Sequence, residues 1–117
     1  MKTFFYLKTC DTCRRFLKEL QLPEDVILRE IKEQPLTLEE MKRLQELSGN
    51  YEVLFSRNSR LYKERNLKEK QLTENDFLNL ILNHYTFLKR PVLVLENQIF
   101  IGNSAKTIQA AKEALHA

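Results

Sequence analysis

Two cysteines, Cys10 and Cys13, are the residues of this chain whose type and spacing most directly suggest chemistry. They are the only cysteines among 117 residues. The apolar run Phe4–Leu7 precedes them and a helical pattern begins at Asp11, so the pair falls where a strand passes into a helix. A helix N-terminus offers unpaired N–H groups and a partial positive charge, and both stabilise a thiolate. This pattern predicts a thiol–disulfide centre with Cys10 as the nucleophile and Cys13, one helical turn away, as its disulfide partner.

Three other uses of the cysteine pair are open at this point. A zinc site needs four ligands, and His84 and His116 lack the paired spacing that would supply the other two. Two inert buried thiols are the second alternative, because a free cysteine packs as a small hydrophobe. The polar neighbours of Cys10 count against it. A structural disulfide, the third, is unusual in a chain without a signal peptide, so the redox interpretation is favoured.

Composition places the chain among ordinary globular proteins. Hydrophobic residues make up 43% and charged residues 30% of the sequence, and the length suits one domain, 1–117, with a single core. No apolar run approaches the ~20 residues of a membrane helix, and the N-terminus does not resemble a secretory signal. The net charge of +3 is too small to indicate direct nucleic-acid binding. We therefore expect a cytoplasmic protein that acts on an anionic substrate or an acidic protein partner.

The first thirty residues predict a β-α-β unit. Residues 2–7 are typical of a buried strand, and the helix that begins at Asp11 ends before Pro23. Asp25–Arg29 is typical of a second strand. Because strands joined through a helix run in the same direction, we expect these two strands to be parallel.

The rest of the chain predicts a helical region followed by a hairpin and a last helix. Thr37 with Glu40, and Thr73 with Asp76, have the spacing of capping boxes, each at the start of a helix. Residues 92–101 are typical of a β-hairpin. The element order is therefore β-α-β, a helical insert, then β-β-α.

That order predicts an α/β fold of the thioredoxin-like, glutaredoxin type. A mixed four-stranded sheet would be flanked by helices. The thioredoxin-like core would comprise residues from about 1 to 31 and from about 90 to 117, with a helical insert from about 36 to 88. The cysteine pair would lie at the first strand–helix junction.

Two arginines at element boundaries are candidate partners of the cysteines. Arg57 stands in a serine-rich turn, with Arg60 as its competitor, and Arg90 directly precedes Pro91. An arginine beside a thiolate lowers the pKa of that thiol, and its planar group also binds a tetrahedral oxyanion. The alternative for each is a solvated surface charge.

At this point the chain resembles a known family, the glutaredoxin-dependent arsenate reductases (ArsC) together with the Spx proteins. The resemblance extends in family order over essentially the whole chain. The matching segments are YLKTCDTCRR at 6–15, QPLTLEE at 34–40, FSRNS at 55–59 and RPVLVL at 90–95, followed by Ile101-Gly102.

The resemblance implies roles for individual residues. A cis proline at Pro91 would lie beside the redox cysteine. In arsenate reductases of this type one cysteine attacks arsenate and three arginines surround the anion. Cys10 matches that cysteine, and Arg57 and Arg90 match two of the arginines. The third would fall near Gly102-Asn103, where this chain has no arginine.

Two departures from the reductases, the second cysteine of the C-x-x-C and the glycine after the hairpin, make the chain more similar to Spx. The reductases have a single cysteine at this site, whereas the switch of Spx is a disulfide, and the resemblance to Spx implies binding to RNA polymerase. We therefore expect a cytoplasmic thiol–disulfide redox protein, with an Spx-like regulator and an arsenate reductase as alternatives. No bound cofactor or metal is expected. Glutathione is a candidate co-substrate, and glutaredoxin or thioredoxin a candidate electron donor.

Overall fold

The computed structural model describes residues 1–116, which divide into two compact units. The first contains residues 1–34 and 90–116, and the second contains Pro35–Lys89. In chain order the strands and helices are β1 (Lys2–Tyr6), α1 (Asp11–Leu20), β2 (Ile27–Glu30), α2 (Leu38–Ser48), α3 (Arg60–Glu64), α4 (Glu74–Asn83), β3 (Val92–Leu95), β4 (Gln98–Ile101) and α5 (Ala105–Leu115). Within residues 1–116, no helix is long and apolar enough to cross a membrane.

The first unit is built on a four-stranded sheet with the strand order β2-β1-β3-β4. Strand β1 is parallel to β2, while β3 is antiparallel to both β1 and β4. Phe4 of β1 lies opposite Leu28 on one side and Leu93 on the other. The mixed sheet, the parallel pair and the hairpin predicted from the sequence are thus confirmed.

Three strand ends differ from the sequence prediction, and one of them is the end of β2, at Glu30 rather than Arg29. Strand β2 begins at Ile27 rather than Asp25, because Val26 N–H closes a turn onto the Pro23 carbonyl at 3.1 Å. Strand β1 ends at Tyr6, because the carbonyl of Leu7 accepts a hydrogen bond within the next turn.

One face of the sheet is covered by α1 and α5, which contact each other. The buried residues of this core are Phe4, Phe16, Leu20, Val26, Leu93 and Ala111. Phe16 and Leu20 recur along α1, and Ile108, Ala111 and Leu115 recur along α5, at helical spacing, so each helix packs one apolar stripe against the strands. This packing fixes the N-terminal end of α1 next to the end of β1.

The second unit is helical, with short 3-10 turns at Glu52–Leu54, Leu67–Glu69 and Tyr85–Phe87. Both predicted capping boxes are confirmed, at the starts of α2 and α4. Phe55 is fully buried and stacks on Phe87, with ring centroids 5.5 Å apart. The ring centroid of Phe77 lies 4.9 Å from that of Phe55. This aromatic cluster is part of the unit's own core.

Candidate functional site

A tight turn after β1 places Cys10 at the N-terminus of α1. Cys10 N–H donates to the Leu7 carbonyl at 3.0 Å, and the Cys10 carbonyl accepts from Arg14 N–H at 3.1 Å. The backbone of Cys10 is extended, with φ −90° and ψ 114°, which is the conformation of an N-cap residue. Its half-buried sulfur therefore lies at the helix end that carries unpaired N–H groups.

The surroundings of Cys10 favour its thiolate. Burial by itself would raise the pKa of Cys10. The backbone N–H groups of Cys13 and Thr12, a hydrogen bond from the Cys13 thiol and the positive charge of Arg90 act in the opposite direction. The combined effect of these groups is larger than that of burial, so the pKa of Cys10 lies below its ordinary value.

Cys13 has the opposite environment. It is fully buried on the face of α1 that packs against the sheet. Its pKa is raised to about 12, chiefly by burial. The hydrogen bond that the Cys13 thiol donates to Cys10 and the negative charge of Cys10 act in the same direction, while the Leu7 backbone and the charge of Arg90 offset a part. The first proton that the pair loses therefore comes from Cys10, so the negative charge forms there while Cys13 keeps its proton.

Arg90 and Pro91 stand at the start of β3. The Arg90–Pro91 peptide bond is cis, as the family resemblance implied, and Pro91 is buried. The charge of Arg90 lowers the pKa of Cys10, so the guanidinium lies within electrostatic reach of that sulfur. Its Nη1 atom is buried and has no hydrogen-bond partner in the part of the chain that the structure describes. The site therefore contains an N–H donor group available to an anion.

Arg57 belongs to the second unit, where its guanidinium is partly exposed. It forms an ion pair with Glu52 at 2.9 Å and lies over the rings of Phe55 and Phe77, at 5.7 and 5.4 Å. Its competitor Arg60 is exposed at the first position of α3. These contacts describe how Arg57 is held, and its role toward Cys10 stays a prediction.

The two histidines each contact a backbone group. His84 Nδ1 accepts a hydrogen bond from Thr86 N–H at 3.1 Å, and His116 Nε2 lies 3.0 Å from the Leu20 carbonyl. Among residues 1–116, no three histidine, cysteine or acidic side chains lie close enough together to hold a metal ion.

Glu30, at the end of β2, is a residue that the sequence analysis did not identify. Its Oε2 accepts Lys8 N–H at 2.7 Å, while Oε1 accepts Lys32 N–H at 2.6 Å and Glu33 N–H at 3.0 Å. Burial would raise the pKa of Glu30, but these three donors hold it below its usual range. The contacts of Glu30 with Lys32 and Glu33 are local, because an acidic side chain often accepts N–H groups two and three residues later in a turn. The sequence pattern could have indicated these two contacts. The contact with Lys8 joins two distant segments and leaves no such signal.

A C-x-x-C at the junction of β1 and α1, with a cis proline at the start of the antiparallel β3, defines a thioredoxin-like thiol site. The chain belongs to the ArsC family, whose sequence model matches residues 5–111. The family and fold that the sequence motifs implied are thus confirmed.

Similar proteins include both regulators and a reductase. The chain is 28% identical over 114 residues to "Global transcriptional regulator Spx 2" of Bacillus cereus, covering 93% of this chain and 85% of that protein. It is 30% identical over 119 residues to "Regulatory protein MgsR" of Bacillus subtilis, covering 95% and 90%. Among solved structures, "Arsenate reductase from Vibrio cholerae" has a TM-score of 0.77 at 21% identity, covering 96% of this chain and 95% of that one. At 21% identity, the similarity to the Vibrio cholerae structure shows only that the fold is shared.

The contrast between the two thiols predicts a difference in reactivity. We expect iodoacetamide to label Cys10 with a pH midpoint below the ~8.5 of an unperturbed thiol, because the α1 N-terminus and Arg90 favour its thiolate. Cys13, with a pKa of about 12, should stay largely unlabelled at neutral pH. Labelling across pH, with mass spectrometry to assign the site, measures both rates. Faster labelling of Cys13 at pH 7 would contradict the assignment.

A pair of arginine variants serves as the control for that experiment. Arg90→Gln removes the charge that lowers the pKa of Cys10, so the labelling midpoint of Cys10 should move upward. Arg15→Gln removes one charge from the exposed surface of α1 and should leave the midpoint in place. Equal shifts in both variants would indicate that net charge alone is responsible.

Proposed function

We propose that this chain is a thiol–disulfide redox protein in which Cys10 is the nucleophile and Cys13 the resolving thiol. The observation that carries the proposal is the placement of a half-buried Cys10 at the N-terminus of α1, with a fully buried Cys13 one helical turn away. This placement lowers the pKa of Cys10 and raises that of Cys13. A reactive thiolate and a protonated reserve thiol are what a two-step disulfide exchange requires. Inert buried thiols would both have raised pKa values.

The reaction follows from these protonation states. The Cys10 thiolate attacks one sulfur of a substrate disulfide, and the other substrate sulfur leaves as a thiolate that takes up a proton. Cys13 then loses its proton and attacks Cys10 Sγ, which breaks the mixed disulfide and releases the second substrate thiol. The products are two substrate thiols and a Cys10–Cys13 disulfide. A dithiol donor such as glutaredoxin or thioredoxin, or two glutathione molecules, would reduce this disulfide again.

Arg90 has two uses in this scheme. Its charge stabilises the Cys10 thiolate before attack, and its unpaired buried Nη1 offers a donor to an anionic group of the substrate. Pro91 has no N–H, so the backbone at this position cannot donate a hydrogen bond there. We assign Arg57 the same anion-stabilising role on the family resemblance alone.

Mild oxidation tests the resolving role of Cys13. With one equivalent of hydrogen peroxide, the unmodified protein should form the intramolecular Cys10–Cys13 disulfide and lose two hydrogens in mass. Cys13→Ser should instead stop at the Cys10 sulfenic acid or a mixed disulfide, because no second thiol can displace it. Intact-mass and peptide mass spectrometry distinguish these species.

The matched control is Cys10→Ser, which retains Cys13 and should react with peroxide much more slowly than Cys13→Ser does. If the unmodified protein gives only intermolecular dimers, Cys13 does not act as the resolving thiol.

A redox-sensing regulator is the second candidate function. It is favoured by sequence relatives named "Global transcriptional regulator Spx 2" and "Regulatory protein MgsR", which this chain matches over 85% and 90% of their lengths. The same Cys10–Cys13 pair would then act as a switch, and the partner that the resemblance implies is RNA polymerase. Turnover separates the candidates, because a regulator needs one oxidation and no continuous flux of substrate.

Binding to purified bacterial RNA polymerase tests the regulator candidate. We expect the disulfide form and the dithiol form to differ by about tenfold in affinity, the range typical of a coupling free energy between two sites. A Cys10→Ser, Cys13→Ser double variant should bind equally well with and without oxidant. No binding in either state, or equal binding of both forms, would contradict this candidate.

For the arsenate reductase alternative we predict weak or absent activity. The family's third arginine would fall near Gly102-Asn103, and the loss of one charged donor from an oxyanion site costs about tenfold to a hundredfold in rate. Lys106 offers a charge nearby, but a flexible ammonium does not reproduce a planar guanidinium. A coupled assay with arsenate, glutathione and glutaredoxin measures turnover, beside an active reductase as the reference.

Turnover of about 1 per second or more would overturn this prediction. If activity is absent, Asn103→Arg is the variant to test for a gain, because Asn103 is exposed. Gly102 has φ +88°, a conformation in which an arginine would be strained.

A further inference from the structure

The Glu30 carboxylate joins the end of β2 to the turn that carries Cys10. Its Oε2 accepts Lys8 N–H at 2.7 Å, and Lys8 is separated from Glu30 by the whole of α1 in the sequence. Its Oε1 accepts the N–H groups of Lys32 and Glu33 at 2.6 and 3.0 Å. Ile31 N–H donates to the Tyr6 carbonyl at 3.0 Å and continues the pairing of β1 with β2.

The group that Glu30 holds is the peptide unit between Leu7 and Lys8. The carbonyl of this unit is Leu7 C=O, which accepts Cys10 N–H at 3.0 Å, and its N–H is the Lys8 N–H that donates to Glu30. A peptide unit is planar, so its C=O and N–H turn together. Glu30 therefore fixes the direction of the carbonyl to which the backbone of Cys10 is bound.

We propose that Glu30 is a positioning residue that holds the Leu7–Lys8 peptide unit, and thereby Cys10, in the orientation in which the α1 N–H groups reach the thiolate. The inference rests on the proposed thiolate role of Cys10, and Glu30 itself takes no part in bond making. Two carboxylate oxygens are needed, because one serves Lys8 and the other serves the turn at Lys32 and Glu33.

The positioning role and a simple charge effect predict opposite changes in the pKa of Cys10 when Glu30 is replaced. A negative charge near a thiol disfavours the thiolate, so removal of the Glu30 charge alone would lower the pKa of Cys10 and speed its labelling. Loss of the positioning contact should instead raise the pKa of Cys10 and slow its labelling. If the turn reorients, Cys10 loses hydrogen bonds from Thr12 and Cys13, and its pKa rises.

Two variants of Glu30 and one control test the proposal. Glu30→Gln keeps the shape but places an NH₂ group where one carboxylate oxygen stands, so it loses either the Lys8 contact or the two contacts to Lys32 and Glu33. Glu30→Asp keeps the charge and can still accept from Lys32 and Glu33, but it is one methylene too short for Lys8. The matched control is Glu33→Gln, which removes the same charge three residues away and leaves its N–H in place.

The readout is the iodoacetamide labelling rate of Cys10 across pH, with the thermal unfolding midpoint measured on the same samples. We expect Cys10 of both Glu30 variants to label about threefold to tenfold more slowly at pH 7, and the pH midpoint of its labelling to rise. Glu33→Gln should match the unmodified protein. Unchanged or faster labelling in a folded Glu30→Gln variant would overturn the proposal. If Glu30→Gln fails to fold, Glu30→Asp decides in the same way.

The unmodified protein keeps this test separate from the proposed function. If its Cys10 labels with an ordinary pH midpoint, the thiolate role itself is wrong. If that midpoint is low and the Glu30 variants share it, only the positioning role is wrong. A lowered unfolding midpoint without a change in labelling would mean that Glu30 has a purely structural role.

Discussion

The central position of β1 is the constraint on which the site depends. This strand is hydrogen-bonded to β2 on one side and to β3 on the other, and Thr3, Phe4 and Phe5 are buried. The register of a strand paired on both sides cannot slip without moving its buried side chains to the wrong face. The point at which the chain leaves the sheet is therefore fixed. Because Cys10 follows through one turn, its position follows from the packing of the core rather than from a flexible loop.

The same packing gives the two thiols their different chemistry. Cys13, Phe16 and Leu20 are the buried residues of α1, and their spacing places them on one stripe of the helix. Cys13 is thus a core residue as well as a redox candidate. Its pKa is raised partly by the charge of Cys10. In the proposed mechanism a mixed disulfide at Cys10 removes that charge, which lowers the pKa of Cys13 before its attack, although burial still acts to raise it.

The sequence allowed us to predict the structural features that depend on local patterns. The hairpin and the two capping boxes depend on residues a few positions apart, and each was predicted correctly. Features that join distant segments were not accessible in this way. Strand β2 starts two residues later than predicted, and nothing in the pattern indicated that Glu30 binds Lys8 N–H. The burial of Arg90 Nη1 likewise depends on the folded chain, although the position of Arg90 before Pro91 marked it as a candidate.

The charge balance at Cys10 bears on which anion the site suits. Arg90 is the cation whose charge lowers the pKa of Cys10, and one guanidinium matches the single negative charge of a thiolate. A tetrahedral oxyanion with two charges needs more donors. Near the position where the resemblance implied a third arginine, Gly102 has φ +88° and donates its N–H to the Pro91 carbonyl at 2.9 Å. That backbone conformation favours glycine and closes the hairpin against the proline. In the first unit this arrangement supports thiolate chemistry at Cys10 more directly than the binding of a doubly charged substrate.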